Sequence, residues 1–199
     1  MTSMALVRLA APSDAPSMLG IYAPFVRDTA FTFETEVPSI TDFSQRIEKG
    51  LQRFPWVVCE INGVLAVYAY ASAHRERAAY QWSCESSVYL REDFRGRRIG
   101  QELYAVVFSI LKLQGLKTVY AGITMPNEAS ERMHARCGFE HFATYENVGY
   151  KLNAWQKVGW WRLPLGDYER NPAPPLLFSG MDHHLLPAIF SRAGERIRS

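Results

Sequence analysis

The sequence predicts a mixed α/β (α+β) fold with one central sheet. Two observations lead to this prediction. Apolar runs at 56–60 and 64–68 flank Asn62 and Gly63, a pair that favours a tight hairpin because both residues can adopt positive φ. Later in the chain, three short apolar strands alternate with two helical patterns. A strand–helix–strand–helix–strand order is typical of one sheet covered by helices.

The first elements are a strand, two helices and the hairpin. Residues 4–9 form an apolar run, and Asp14 is placed to cap the helix that follows. The aromatic segment 31–35 is predicted to be a loop. A second helix comes next, because its apolar residues recur at helical spacing; they are Phe43, Ile47 and Leu51.

The second half begins with a strand at 83–90 and a basic turn at 91–98. A helix is predicted to open at Gly100. Counted from Leu103, its apolar residues fall at i, i+3, i+4, i+7 and i+8, which predicts an amphipathic helix that ends near Gly115. We predict a strand, a helix ended by Gly138 and two final strands after it. Their ranges are 119–124, 127–137, 139–145 and 158–163.

Composition and charge narrow the class of protein. The 199 residues include 22 basic and 20 acidic side chains, for a net charge of +2. The basic residues are dispersed rather than dominant, which argues against a nucleic-acid partner. No apolar run approaches the length of a membrane span, and the N-terminus does not resemble a signal peptide. We therefore expect a cytoplasmic protein with no membrane or nucleic-acid partner.

The chain has three cysteines, an odd number with no CxxC spacing. This argues against both a disulfide framework and a metal site. We interpret all three as small core residues; they are Cys59, Cys84 and Cys137. Composition changes after Pro164, where three prolines interrupt the pattern. We assign residues 1–164 to one domain and residues 165–199 to a C-terminal extension that packs through Leu185, Leu186, Ile189 and Phe190.

The most informative segment joins the strand at 83–90 to the helix after it. The first N–H groups of a helix lack internal partners and carry partial positive charge, so a pyrophosphate can bind there. Glycine permits close approach to the backbone, and arginines add countercharge. The alternative is a solvated basic loop. The residues of this turn are Arg95, Gly96, Arg97, Arg98, Ile99, Gly100 and Gln101.

Short motifs in register along residues 5–164 resemble the phosphinothricin acetyltransferase branch of the GNAT superfamily. They include the segments 32–36, 54–56, 85–90, 127–130, 132–134, 137–139, 149–151, 153–155 and 158–161. The resemblance implies the GNAT fold, a splayed central sheet that is mostly antiparallel and flanked by helices. It also implies acetyl-CoA as cosubstrate, no metal, and a homodimer.

The resemblance assigns the phosphate turn as (Gln/Arg)-x-x-Gly-x-(Gly/Ala). Arg95 and Gly100 match its first and last positions, whereas Arg98 replaces the middle glycine. We expect the backbone donors to survive this change if φ at Arg98 is negative. The resemblance implies further contacts with the cofactor. For Asn127 the alternative is a plain helix N-cap. These residues are Val88, Tyr89, Leu90, Asn127 and Ser130.

Acetyl transfer to an alkyl ammonium group, whose pKa is ~10, requires a base for the amine and benefits from an acid for the thiolate. The resemblance implies that Glu85 and His134 supply these functions. The alternatives are a solvent-facing glutamate and a structural histidine. Strand alternation places Cys84 on the face opposite Glu85, which favours direct attack by the amine over a route through that thiol. Oxyanion stabilisation falls to backbone N–H groups such as that of Leu90.

The resemblance implies a small amino acid with a second polar head as the amine substrate, such as phosphinothricin, methionine sulfoximine or methionine sulfone. Candidate pocket residues are Phe33, Glu34, Arg75, Arg77 and Tyr80. An arginine suits a carboxylate or phosphinate, although Arg75 and Arg77 are equally compatible with a solvated hairpin tip. The alternatives are a protein N-terminus or polyamine as substrate, and an acetyl-CoA-binding module without turnover.

Overall fold

The computed structural model describes residues 4–198 of the chain. In this range, seven strands form one sheet in the order β1-β2-β3-β4-β5-β7-β6, and only β4 and β5 are parallel neighbours. The predicted mixed, mostly antiparallel central sheet is confirmed. The strands are β1 Ala5–Leu9, β2 Trp56–Ile61, β3 Val64–Ala73, β4 Ser83–Leu90, β5 Thr118–Met125, β6 Glu140–Lys151 and β7 Ala154–Pro164.

Across the described range, five α-helices cover the two faces of this sheet. Alternating residues of β2 show the division, because Val58 packs in one apolar cluster with α1 and α2 whereas Val57 packs in another with α3 and α5. Met133 of α4 contacts the second cluster, so α4 lies on the α3 face. The helices are α1 Ala15–Asp28, α2 Ile40–Arg53, α3 Ile99–Gln114, α4 Glu128–Arg136 and α5 Leu186–Arg198.

Three predicted turns take the conformations that their residues favour. Asn62 and Gly63 both have positive φ, at 52° and 79°, and join β2 to β3 as a tight hairpin. Gly115 ends α3 at φ 89°, and Gly138 follows α4 at φ 92°. The hairpin of β6 and β7 is longer than predicted, because Leu152 and an adjacent asparagine form its turn without a glycine to mark it.

Asp14 does not cap α1 as predicted. Its carboxylate accepts hydrogen bonds from Arg8 Nη1 and Nη2, at 2.7 and 2.8 Å, and from the amide of Ala11 at 2.8 Å. These bonds close the short 3₁₀ turn that precedes α1. The hydrogen bonds from Arg8 lower the pKa of Asp14, so the carboxylate supports the junction between β1 and α1 rather than the helix amides.

The C-terminal extension packs into the same core as α3. Phe178, Leu186 and Ala193 are 2–4% exposed and lie in the α3 cluster. Gln114 Nε2 donates to the carbonyls of Arg53 and Leu176, both at 2.8 Å, and so joins α2, α3 and the extension. Of the four packing residues predicted, Ile189 and Phe190 also contact this cluster, whereas Leu185 is 43% exposed.

The extension therefore covers apolar surface that the sheet and α3 leave open. A boundary between residues 164 and 165 stays a prediction. The outermost residues of the two predicted segments, 1–3 and 199, lie outside the described residues.

Candidate active site

The sheet opens between β4 and β5. These parallel strands pair only from Ser83 to Glu85 on β4 and from Thr118 to Tyr120 on β5. Beyond Glu85, β4 continues to pair with β3 on its other edge as far as Leu90. The backbone of residues 86–90 therefore presents N–H and C=O groups to the gap, as an edge strand does, and an extended ligand arm can pair with them.

A cavity of about 510 Å³ occupies this opening and is lined from both faces of the sheet. Phe25 and Phe31 border it on the α1 side, and Tyr104 and His134 border it on the α3 and α4 side. Most of the residues predicted to bind the cofactor also line it. They are Val88, Tyr89, Leu90, Arg95, Gly96, Arg98, Ile99, Gly100, Gln101, Asn127 and Ser130.

The phosphate turn keeps the shape of a glycine turn although Arg98 replaces the glycine. Gly96 has φ 78° and Arg98 has φ 59°, so both are left-handed. The condition stated for the donors, a negative φ at Arg98, is therefore not met. A residue with a Cβ in this region costs about 1–2 kcal/mol relative to the right-handed conformation. Arg98 therefore adopts a backbone conformation that glycine would adopt without this cost, and Gly96, Arg98 and Gly100 all line the cavity.

The start of α3 combines a buried side chain with accessible backbone. Ile99 is 1% exposed and packs in the core, yet Ile99 and Gly100 both line the cavity. Gln101 and Glu102 are the first amides bonded within the helix, to the carbonyl of Arg98 at 3.1 and 3.2 Å. The amides before them have no intrahelical partner. The turn thus offers donors to a diphosphate.

Arg97 is the one predicted turn residue that does not line the cavity. Its guanidinium lies 5.4 Å from the ring centroid of Phe94 instead. The sequence analysis missed several lining residues. Gly122, a glycine inside a strand, is a signal for close approach by a ligand, and Arg132 and Arg136 share one face of α4 by their i, i+4 spacing. The missed residues are Phe25, Ser86, Ser87, Tyr104, Gly122, Ile123, Thr124, Ala129, Arg132, Met133 and Arg136.

Asn127 caps α4, and its Oδ1 accepts a hydrogen bond from the amide of Ser130 at 3.2 Å. This bond fixes the first turn of the helix at the mouth of the cavity. The cap and the predicted cofactor contact are compatible, because Asn127 also lines the cavity.

His134 is a buried, neutral histidine. Its Nδ1 lies 2.8 Å from the carbonyl oxygen of Ser130, which can only accept, so Nδ1 carries the proton. The other nitrogen, Nε2, is then an acceptor and lies 3.3 Å from the hydroxyl of Tyr104. Burial lowers the pKa of His134 to about 4. The imidazole is therefore uncharged at neutral pH, which argues against a role as a cationic acid.

Glu85 lies at the closed end of the opening and does not line the cavity itself. Cys84 is buried in the α3 cluster, so alternation directs Glu85 to the face of α1 and α2. The predicted separation of these two side chains is confirmed. Glu85 Oε1 lies 2.8 Å from His74 Nδ1 and 3.6 Å from Arg75 Nη1. Its side chain is 30% exposed, so a polar substrate can reach it.

The residues predicted to bind substrate do not line the cavity. Phe33 packs against Gly149, where an added Cβ would overlap its ring. Glu34 Oε1 accepts a hydrogen bond from Arg46 at 2.5 Å. Arg75 and Tyr80 lie near Glu85 and His74, whereas Arg77 is exposed in the turn before β4. The loop residue that reaches the cavity is Phe31.

The thiols do not provide a nucleophile. Cys59 and Cys84 are buried, and burial raises the pKa of Cys59 to about 12 and the pKa of Cys84 further. Cys137 is partly buried, and burial raises its pKa to about 11. A thiolate is the reactive form, so each of these cysteines is inert near neutral pH.

Within residues 4–198, no group of three or more His, Cys, Asp or Glu side chains is arranged to hold a metal ion. None of the helices described there has the length and hydrophobicity needed to cross a membrane.

The fold, the opening and the turn define an acyl-CoA-dependent transferase. Residues 7–160 match the acetyltransferase (GNAT) domain family, and the chain belongs to this family. It is an acetyl-CoA-dependent N-acetyltransferase.

Similar proteins include a phosphinothricin N-acetyltransferase of Streptomyces viridochromogenes, which is 33% identical over 169 residues, 85% of this chain and 90% of the relative. An L-methionine sulfoximine/L-methionine sulfone acetyltransferase of Pseudomonas aeruginosa is 31% identical and matches 81% of this chain and 95% of its own length. The crystal structure of a phosphinothricin acetyltransferase from Sinorhizobium meliloti in complex with acetyl-CoA aligns with a TM-score of 0.81 at 29% identity. That alignment covers 89% of this chain and 99% of the other.

Proposed function

We propose that this N-acetyltransferase acetylates the primary amine of a small amino acid with a second polar head, of the phosphinothricin, methionine sulfoximine or methionine sulfone type. The proposal depends chiefly on one observation, the carboxylate of Glu85 at the end of the β4–β5 opening beside the cavity. The similar proteins named for these substrates support it. Acetylation removes the charge of the amine, and we propose that it detoxifies such compounds and gives resistance to herbicides of this type.

The cavity is assigned to acetyl-CoA. Backbone amides of the turn and the start of α3 bind the diphosphate, with Arg95 and Arg98 as countercharges. Backbone groups of Val88 and Leu90 pair with the pantetheine arm along the open edge of β4. Arg97, which lies over Phe94, adds only long-range positive charge.

The proposed reaction is direct attack. The substrate nitrogen forms a bond to the thioester carbonyl carbon, the C–S bond breaks, and its electron pair leaves with sulfur as the CoA thiolate. Glu85 takes the proton lost by the amine, directly or through a water molecule. Glu85 then releases this proton to solvent and the thiolate gains one from solvent, so that amine and acetyl-CoA give amide and CoA with protons balanced and the carboxylate restored.

Glu85 is the better candidate for the base because it is accessible, whereas His134 is buried on the opposite face and its pKa is lowered to about 4. We assign His134 to the thioester end of the cavity. There Nε2 accepts from the hydroxyl of Tyr104, a residue that lines the cavity. His134 then acts by orienting a phenol rather than by carrying charge.

The substrate head is assigned to the α1 side of the opening. Arg75 lies near Glu85 and suits a carboxylate or phosphinate. Phe31 closes this side of the cavity and favours a small ligand over a peptide. The other predicted substrate residues do not line the cavity, and we propose that they shape the surface around the amine-binding side. They are Phe33, Glu34, Arg77 and Tyr80.

We propose a cytoplasmic homodimer. Tyr150 and Trp155, 58% and 65% exposed, form an edge-to-face pair on the β6–β7 hairpin, with ring centroids 5.4 Å apart. Exposed aromatic clusters beside an edge strand favour association with another chain, and a second copy is our candidate. Three unpaired cysteines are in keeping with a reducing compartment.

Thiol release from acetyl-CoA tests the proposal. We expect turnover with methionine sulfone or phosphinothricin, and we expect Glu85→Gln to lower kcat about 100-fold or more, the size of a general-base contribution. Parallel reactions with a peptide N-terminus and with spermidine test the alternative substrates. Turnover of the peptide or spermidine alone would overturn the substrate proposal, and no thiol release with any amine would overturn the catalytic one.

A further inference from the structure

We infer that His74 is a positioning residue for Glu85 in the amine half of the reaction. The inference rests on the proposed function, because it assumes that Glu85 is the base. The side chain of His74 neither lines the cavity nor belongs to the two apolar clusters. It lies near the end of β3, next to the strand that carries Glu85, and its imidazole meets the carboxylate.

The hydrogen bond between His74 and Glu85 is short, and its donor can be assigned. His74 Nδ1 lies 2.8 Å from Glu85 Oε1. An ionised carboxylate can only accept, so Nδ1 donates. Arg75 Nη1 lies 3.6 Å from the same oxygen. Within the described residues, Oε2 has no hydrogen-bond partner, so the histidine fixes one oxygen and leaves the other for the incoming amine or a bridging water.

The imidazole is itself held by aromatic rings from neighbouring elements. It stacks on Tyr120 of β5 with centroids 4.5 Å apart and an interplanar angle of 26°. Trp160 of β7 and Tyr80 of the turn before β4 contact its edge, each with centroids 6.0 Å away. The side chain is 15% exposed. Three elements therefore restrict the ring, which makes the Nδ1 donor a rigid reference for the carboxylate.

Position matters here because Tyr120 is the last residue of β5 that pairs with β4, opposite Glu85. The ring that supports His74 thus lies at the apex of the opening where the acetyl group must arrive. The groups around the carboxylate are His74 and Arg75, which directly follow β3, and Tyr70 of β3; Tyr80 and Tyr120 contact the imidazole. Among them His74 makes the only hydrogen bond described to Glu85.

Two substitutions of His74 distinguish the role of its Nδ1 donor from the role of its aromatic ring. His74→Phe keeps an aromatic ring for Tyr120 but lacks the donor, and we expect kcat to fall about tenfold to 100-fold, as for a small misplacement of a catalytic group. His74→Asn loses the ring but keeps an amide N–H near the position of Nδ1. We expect its kcat to stay within about threefold of the wild type, since the rescue depends on the retained donor. The KM for acetyl-CoA should not change in either variant.

A double-mutant cycle distinguishes positioning from a general structural effect. If His74 acts through Glu85, the double variant His74→Phe with Glu85→Gln is no slower than Glu85→Gln alone. His141→Phe is the matched control, because His141 also contacts a tryptophan edge-to-face but lies at the start of β6, and it should keep the kcat of the wild type. His74→Gln, which moves the donor by one atom, replaces His74→Phe if that variant does not fold.

The outcomes separate the two proposals. If Glu85→Gln has the kcat of the wild type, the assignment of the base fails, and the positioning inference fails with it. If Glu85→Gln is slow but His74→Phe is as fast as the wild type, or loses equally in both backgrounds, only the inference about His74 is overturned. A kcat–pH profile that shifts in His74→Phe but keeps its wild-type form in His141→Phe supports it.

Discussion

Glu85 pairs with Tyr120 at the last position where β4 and β5 remain together. The strands separate immediately beyond this pair, and the cavity begins there. A single interruption in the sheet therefore positions three parts of the site. These are the carboxylate of Glu85, the ring of Tyr120 and the open edge of β4. The predictions below test the parts of the site that surround it.

Gly100→Ala should separate cofactor binding from stability. A Cβ at Gly100 would lie 3.6 Å from Val88 and 3.6 Å from Met133, ordinary contacts with two residues that line the cavity. Alanine favours a helix by about 1 kcal/mol over glycine, so the free energy of unfolding in urea should rise. The KM for acetyl-CoA should stay close to the wild-type value, because both contacts are ordinary and the turn pattern accepts alanine at this position. Gly20→Ala, in α1 with nothing within 4 Å, should give the stability gain with an unchanged KM.

Arg98→Gly should release strain that Arg98→Ala keeps. At φ 59° any residue with a Cβ is in the left-handed region, where glycine pays no steric penalty but loses more conformational entropy on folding. We expect the glycine variant to be more stable than the alanine variant by about 1 kcal/mol in urea unfolding. Equal stabilities would show that this backbone conformation is not strained.

His134 should destabilise the fold at acidic pH. Its folded pKa of about 4 lies below its ordinary value of 6.5, so the unfolded chain binds more protons between these values. Its contribution is present above pH 6.5 and is lost as the pH falls to 4, a total of roughly 3 kcal/mol at 1.36 kcal/mol for each pKa unit. The difference in unfolding free energy between pH 7 and pH 4.5 should therefore be smaller in His134→Gln than in the wild type. An unchanged difference would contradict the neutral, buried state.

Phe178→Ala tests whether the C-terminal extension is part of the folding unit. Phe178 is 2% exposed and packs in the α3 cluster, so truncation should cost about 3–5 kcal/mol. Leu177→Ala, one residue earlier and 57% exposed, should change stability by less than about 0.5 kcal/mol. Urea unfolding followed by tryptophan fluorescence measures both. A small cost at Phe178 would show that the extension packs weakly.

Trp155→Glu should prevent the proposed dimer. The side chain is 65% exposed, so the substitution should leave the fold of the protomer intact while placing charge in an aromatic patch. Sedimentation velocity should give the dimer mass for the wild type and half of it for the variant. Leu176→Glu, at a similarly exposed site of 55% in the extension, should remain dimeric. A monomeric wild type would overturn the proposal.

Local signals predicted the order of the elements and the phosphate turn. The hairpin at Asn62 and Gly63, the ends of α3 and α4 at Gly115 and Gly138, and the alternation that separates Cys84 from Glu85 depend on residues close in sequence, and the structure confirms them. Local signals misled where a long-range partner competed. Asp14 has the side chain of a helix cap, but Arg8 from β1 holds its carboxylate.

The sequence by itself determined a mixed sheet, a basic glycine turn before an amphipathic helix, and the family to which these belong. Only the tertiary structure decided which side chains share the site. His74, directly after β3, meets Glu85 of β4 although the two are 11 residues apart, and Tyr120 of β5 stacks on the imidazole. The left-handed Arg98 and the neutral His134 were also decided there, because backbone strain and burial depend on packing from elements distant in the chain.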